Sequence, residues 1–330
     1  MRKIKALALY SMVSASQLQP KRYDYIDIAR GLAILCVIQW HVCNRHVAWI
    51  DTWAMPVFFV IMGIFFRPAL TWRDMIVKKA RTILLPFVIL SIPSYIQNAI
   101  QLPLSEFIQR VIDPFNCVHG VGWFLICMFW CYMIYYGIHR VANGKMYLKV
   151  LISLAVSFTF FYLSTLRPPI LGGHRMVFPF FLSTSFTCMA LVSAGELLKT
   201  VLLKDRCESR KLLVMSILSG GAILYFFGCK GGAMIVNDYY GQPYILWLAN
   251  SIIGSISIIE ISKYLPSFMA FFGKHSLLML MVHPYVKRIV MLFTEPSVLR
   301  LLIVVAITTI LVYLFARYVP ITEGKLKEKH

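Results

Sequence analysis

The chain has 330 residues, 59% of them apolar and only 14% charged, with a formal net charge of +19. Soluble proteins carry about 25% charged residues, so a soluble chain of this size would lack the charge to cover its surface, a difficulty that lipid as solvent removes. The basic residues sit in short clusters between apolar runs rather than on one face or arm, which speaks against a nucleic-acid partner and fits the loops of a membrane protein.

The first 16 residues imitate a signal peptide, with a basic start, a short apolar run and Ser-Ala-Ser. Cleavage there would place the new amino terminus outside, which the charge distribution opposes, so residues 1–24 read as a cytoplasmic tail. Ten apolar segments follow, near 26–44, 50–66, 82–100, 122–139, 148–164, 178–198, 211–228, 244–262, 276–293 and 298–316. A helix of ~20 apolar residues crosses the ~30 Å hydrocarbon layer. The sequence therefore predicts an all-α polytopic membrane protein: a single bundle of about ten transmembrane helices, with both termini cytoplasmic. Short connections and the lack of linkers or repeats make residues 25–318 one transmembrane domain, and 319–330 a second cytoplasmic tail.

Orientation follows from Lys and Arg. With the amino terminus inside, 24 of the 33 basic residues fall in cytoplasmic tails and loops. One loop holds Arg73, Lys78, Lys79 and Arg81, another Lys199, Lys204, Arg206, Arg210 and Lys211. The outer side holds eight: Arg45, Arg110, Arg167, Arg175, Lys230, Lys287, Arg288 and Arg300. Arg30, inside a span, is left over. This is a strong positive-inside bias.

Ionisable groups inside a span are costly and usually line a cavity or path, and they concentrate in the first segment, which carries Asp27, Arg30 and His41. Arg30 and His41 lie eleven residues apart, three turns plus ~20°, and so share a face about 16 Å apart along the axis. Asp27 sits one turn before Arg30, where a pair is allowed. The spacing predicts one helix presenting a guanidinium and an imidazole to a shared polar channel. The alternative is that Asp27 and Arg30 mark the interface while His41 snorkels outward. Of the eight cysteines, Cys127 and Cys131 share a helix face, which points to packing, and no zinc-type pair appears.

The Arg30/His41 spacing resembles the hallmark of the integral-membrane acyltransferases of type three, which O-acetylate bacterial surface sugars. Met55-Pro56-Val57-Phe58-Phe59 with Met62-Gly63, Lys79-Ala80-Arg81 running to Leu85-Pro86, Gly122-Trp123-Phe124-Leu125, and Gly273-Lys274-His275-Ser276-Leu277 with His283-Pro284 resemble that family's later motifs, in order. The nearest flavour is the fucose 4-O-acetylase-like branch. Ala54 and Met62 depart from it, standing where that branch often has His and Ser.

The resemblance implies an O-acetyltransferase in the bacterial cytoplasmic membrane. Its donor would be acetyl-CoA, a co-substrate rather than a bound cofactor. Its acceptor would be a sugar or glycolipid hydroxyl, with membrane lipid around it. A neutral imidazole suits the removal of a hydroxyl proton, so His41 is the candidate base. Arg30, with Lys78, Lys79 and Arg81, is the candidate grip on the donor's phosphates; ordinary positive-inside topology is the alternative for the three loop residues. His283 is expected about two turns into a helix capped by Ser276, with Pro284 kinking it, and is a candidate supporting residue beside Asp27. Trp123 either stacks on a sugar or belongs to an interfacial aromatic belt. His46, His119 and His174 fall in outer loops and are expected to be solvated; no metal constellation appears. A sugar or lipid transporter without acyl transfer, and a non-catalytic membrane partner, are the competing readings.

Overall fold

Long apolar runs can satisfy their backbone groups in lipid only as helices or closed barrels, and every regular element among the described residues is helical. The structure, a computed structural model, describes residues 22–43, 50, 52–115, 117–166, 178–204, 211, 214–215, 220, 235, 238, 240, 243–295 and 297–324.

In chain order these form α1 (Asp24–Cys43), α2 (Pro56–Ile64), α3 (Trp72–Lys79), a π-helical turn (Ala80–Leu84), α4 (Leu85–Gln101), α5 (Leu104–Ile112), α6 (Trp123–Val141) and α7 (Met146–Leu166). There follow α8 (Leu182–Thr187), α9 (Met189–Leu202), α10 (Tyr244–Ser262), α11 (Ala270–Lys274), α12 (Ser276–Val290) and α13 (Val298–Tyr318). Among the described residues seven units are long and apolar enough to cross a bilayer: α1, α3 with α4, α6, α7, α8 with α9, α10 and α13. The chain is an all-α polytopic membrane protein.

Two expected spans take another form. Segment 50–66 contains α2, a nine-residue helix buried along its whole length. It is a plug inside the bundle, too short to cross alone. Segment 276–293 is the fifteen-residue α12. Segment 211–228 lies almost wholly outside the described residues, as do residues 1–21, Arg45, His46, Arg167, His174, Arg175, Arg206, Arg210 and Lys230. The basic stretch expected as a loop is helical instead. Thr71 caps α3 by accepting from the Asp74 N–H at 3.1 Å, and the π turn carries the helix through Arg81 without a break. A π turn adds one residue to the helical path and often marks a functional position.

The helices sort into a centre and a rim. In α1 56% of the apolar window is buried, against 17% in α7 and 22% in α13, so α1 is a core strut and the other two face lipid. Close approach to α1 depends on Gly273: a Cβ there would lie 1.6 Å from the Asp27 carbonyl oxygen. The plug α2 sits on α9 in the same way, with a Cβ on Gly63 falling 1.9 Å from the Val192 carbonyl oxygen. Small residues are how membrane helices reach such distances. The short α5 buries nothing; Leu104, Ile108 and Ile112 form an exposed stripe at i, i+4, i+8, the pattern of an interfacial helix.

Ionisable residues inside the bundle are not confined to α1, contrary to the sequence expectation. Lys149 on α7 meets Glu196 on α9 at 2.6 Å, and the other carboxylate oxygen accepts from Tyr135 on α6 at 2.5 Å. Glu260 and Lys263 form a second buried pair at 2.7 Å, with the ammonium 5.2 Å from the Tyr25 ring centre. Buried charges persist when paired in this way.

Candidate active site

Helix α1 runs in the same direction as the α11–α12 stretch, because Gly273 packs on Asp27 near one end and His283 meets His41 near the other. The His41 and His283 rings have centroids 5.3 Å apart, and Trp40 flanks His41 at 4.4 Å. Both imidazoles line a cavity of about 300 Å³ with His119, Gly120, Val121, Pro284, Lys287, Arg288 and Met291.

The hydrogen bonds assign tautomers. His283 Nδ1 lies 3.0 Å from the Met279 carbonyl; a carbonyl only accepts, so Nδ1 carries the proton and Nε2 is left as an acceptor. That Nε2 is buried with no hydrogen-bond partner. His283 and Met279 stand one turn apart on α12, which continues through Pro284 to Val290 and leaves the Leu280 carbonyl without its usual helical donor. The expected Ser276 cap is absent: His275 holds the cap position and makes no side-chain cap bond, while its ring is engaged by Glu323.

His119, expected to be solvated, is buried in this cavity. A tight turn closed by Gly120 N–H donating to the Cys117 carbonyl at 2.7 Å, with Gly120 at φ +71°, folds the loop before α6 back over the cavity. His119 Nε2 donates to the Met281 carbonyl at 3.1 Å, and Nδ1 is a second buried, unpartnered acceptor. Burial pushes the His119 imidazole down to about 4, against the bond to Met281 and with help from the Arg288 charge. It is neutral at pH 7. The cavity thus offers neutral ring nitrogens able to accept a hydrogen bond from a hydroxyl. Among the described residues no three His, Cys, Asp or Glu are grouped to hold a metal.

The other end of α1 is cationic. Asp27 is buried and pairs with Arg22 at 2.8 Å and, more loosely, with Arg30 at 3.7 Å, so its closer partner is a residue the sequence reading did not consider. Arg30 keeps 39% of its side chain exposed, and its Nε is buried without a hydrogen-bond partner. The Lys79 ammonium lies 3.3 Å over the Tyr132 ring, and the Arg30 charge acts on the same tyrosine. Tyr132 thus stands against the Lys79 ammonium and within the field of Arg30, which comes from a separate helix. Lys78 and Arg81 are exposed nearby on the same helical stretch.

Arg30 does not line the histidine cavity. Between it and His41 the same face of α1 presents Ala33, Ile34 and Val37, all buried, so the stretch of α1 that separates the two groups is packed and apolar. Trp123 also stays out of the cavity lining and packs against Phe124 and Phe181. Sequence reading missed His119, Tyr132 and Lys287 as neighbours of these groups. The available signal for His119 was the glycine after it in a short loop.

No curated protein and no solved structure matches the chain. A family model described as an acyltransferase domain matches residues 23–317, an interval that takes in the Arg30 cations, the α1–α11 contact beside them and the histidine cavity. The chain belongs to the acyltransferase 3 family of membrane acyltransferases.

Proposed function

We propose that the protein transfers an acetyl group from acetyl-CoA to a hydroxyl of a cell-surface polysaccharide or lipid-linked sugar. It does so in the bacterial cytoplasmic membrane, with both termini in the cytoplasm. One observation carries the reading: a phosphate-type cation cluster and a histidine cavity stand at opposite ends of one buried helix, about 16 Å apart. Arg30 and Lys79, with exposed Lys78 and Arg81, suit the phosphates of a cytoplasmic CoA, Arg through bidentate contact and Lys as a point charge. The cavity suits an acceptor arriving from outside.

The reaction balances without another reactant. The acceptor oxygen bonds to the thioester carbonyl carbon, the carbon–sulfur bond breaks, and the hydroxyl proton passes by way of the imidazole to the departing thiolate. The products are an O-acetyl ester and free CoA. His41 is the base. Among the described residues it has no hydrogen-bond partner of its own, which leaves it free for the substrate hydroxyl. His283, held by Met279, supports it from across the cavity. Asp27 positions Arg30, and Trp123 is an aromatic neighbour of the cavity loop.

The test is mass spectrometry of surface glycans from cells with and without the gene. A gene-dependent gain of one acetyl group is expected, lost in His41→Ala while the protein still inserts. Acetylation that persists in that variant would remove the proposed base, and substrate translocation without use of acyl-CoA would favour a transporter.

A further inference from the structure

The cavity wall is charged on one side only. Beyond the three histidines its ionisable lining is Lys287 and Arg288, with no carboxylate. Lys287 follows His283 by four residues, so it projects from the same face of α12 about 6 Å farther from the Arg30 end. Its charge reaches His41. Arg300, on neighbouring α13, adds a third cation close enough to act on Lys287. It is buried, and its Nε is engaged by the Thr294 hydroxyl at 3.2 Å.

None of these three cations has an ion-pair partner among the described residues, and Arg288 is anchored by the neutral side chain of Gln97. The carboxylates toward this end of the described bundle are Glu106, Asp113, Asp238 and Glu295, and none lines the cavity; Asp238 is buried against the Thr184 hydroxyl at 2.9 Å. Asp113 is occupied by the Phe115 N–H at 2.9 Å. Cations gathered without a counter-charge around a partly desolvated site favour an anion from outside.

Resting on the acyltransferase reading, we infer that the acceptor is itself anionic. It carries a carboxylate or phosphate about one helical turn, ~6 Å, from the hydroxyl that is acylated, and Lys287 is the residue that selects for it. A neutral sugar would leave the Lys287–Arg288–Arg300 group without a counter-charge among the described residues and bind less well. The two sources of negative charge are an acidic sugar ring and the phosphate joining a sugar to its lipid carrier; the wall recognises both.

The experiment uses cells carrying the full chain. Glycans that gain an acyl group in a gene-dependent way are separated by anion exchange, and tandem mass spectrometry then locates the group. The acyl group is expected on a residue that bears a carboxylate or phosphate, or on its direct neighbour; loss of retention after phosphatase treatment identifies the phosphate source. Lys287→Gln is expected to lower this acylation about tenfold, the loss of one charge-assisted contact, and Lys287→Arg to restore most of it. Both variants are checked for equal abundance in the membrane fraction. Gene-dependent acylation confined to neutral glycans, or a Lys287→Gln variant equal to wild type, overturns the inference and leaves the acyltransferase reading standing. Absence of gene-dependent acylation from every glycan fraction overturns that underlying reading.

Discussion

Replacement of Gly273 by alanine should separate the two halves of the proposed site without removing any chemical group from it. The added Cβ would fall 1.6 Å from the Asp27 carbonyl oxygen, where 3.4 Å is an ordinary contact, so α11 must retreat from α1 by ~1.8 Å or tilt by a similar amount. The obstacle is backbone, which cannot rotate away. Overpacking of this kind costs ~1–3 kcal/mol of stability. His283 lies ten residues, ~15 Å, farther along this helical stretch, and its 5.3 Å ring separation from His41 is set by how closely the two stretches pack. A misplacement of ~1 Å in a positioned site can lower a rate ~100-fold. Glycan acylation in cells carrying Gly273→Ala is therefore expected to fall by about that factor, with a lowered thermal midpoint for the purified protein in detergent. Gly137→Ala is the control, because its Cβ would meet only the Trp72 ring at 3.4 Å and alanine is the better helix former. Wild-type acylation in Gly273→Ala would refute the claim that this contact sets the geometry of the histidine cavity.

Three further outcomes can be checked with the same preparations. His41→Ala should reduce the acyl-transfer rate by ~10²–10⁴-fold, the usual contribution of a positioned base, and His283→Ala should reduce it less, because it is assigned a supporting role and not the proton transfer; equal and small effects would argue against assigning the base to His41. Lys149→Met leaves the partly buried Glu196 with Tyr135 as its remaining partner and should cost ~1–3 kcal/mol, most of it recovered by adding Glu196→Gln; additive losses in thermal unfolding would contradict direct coupling. His119 sits near 6.5 in the unfolded chain and about 4 in the folded protein, so between those values the unfolded state binds more protons. Stability should fall as pH drops through that window, by ~3 kcal/mol at its lower end, and His119→Gln should flatten the profile.

The polytopic helical fold was legible because it rests on apolar run length, which lipid enforces locally. The motif order from Arg30 to His283 was legible for a similar reason, since each motif is a short contiguous string. What spacing could not supply was depth. Segment 50–66 is apolar enough to suggest a span, yet its helix plugs the bundle, and only the packing of Gly63 on Val192 distinguishes the two. The basic stretch from Arg73 to Arg81 carries the charge of a loop and the hydrogen bonds of a helix. His119 was hidden by its position in a loop, since its burial depends on a turn at Gly120 and on Met281 from a helix more than 150 residues away. Lys149 and Glu196 were hidden in the same way, each looking like a stray charge until the fold brings them together.

The apolar stretch between Arg30 and His41 bears on how such an enzyme can work in a membrane at all. A polar channel open from the donor cations to the histidine cavity would pass water and ions whenever substrates were absent. Ala33, Ile34 and Val37 are instead packed and apolar on that face of α1. Under the proposed function the thioester arm has to pass this apolar stretch, and a donor held at its phosphates by Arg30 and Lys79 would bring it there. Donor binding and access to His41 then become one event. Under the same reading a thioester meets the water of the cavity only once the donor is seated, which limits its hydrolysis. Under the proposed function the separation of the two sites along α1 is then part of the mechanism, with the buried, unpartnered nitrogens of His283 and His119 beyond the apolar stretch.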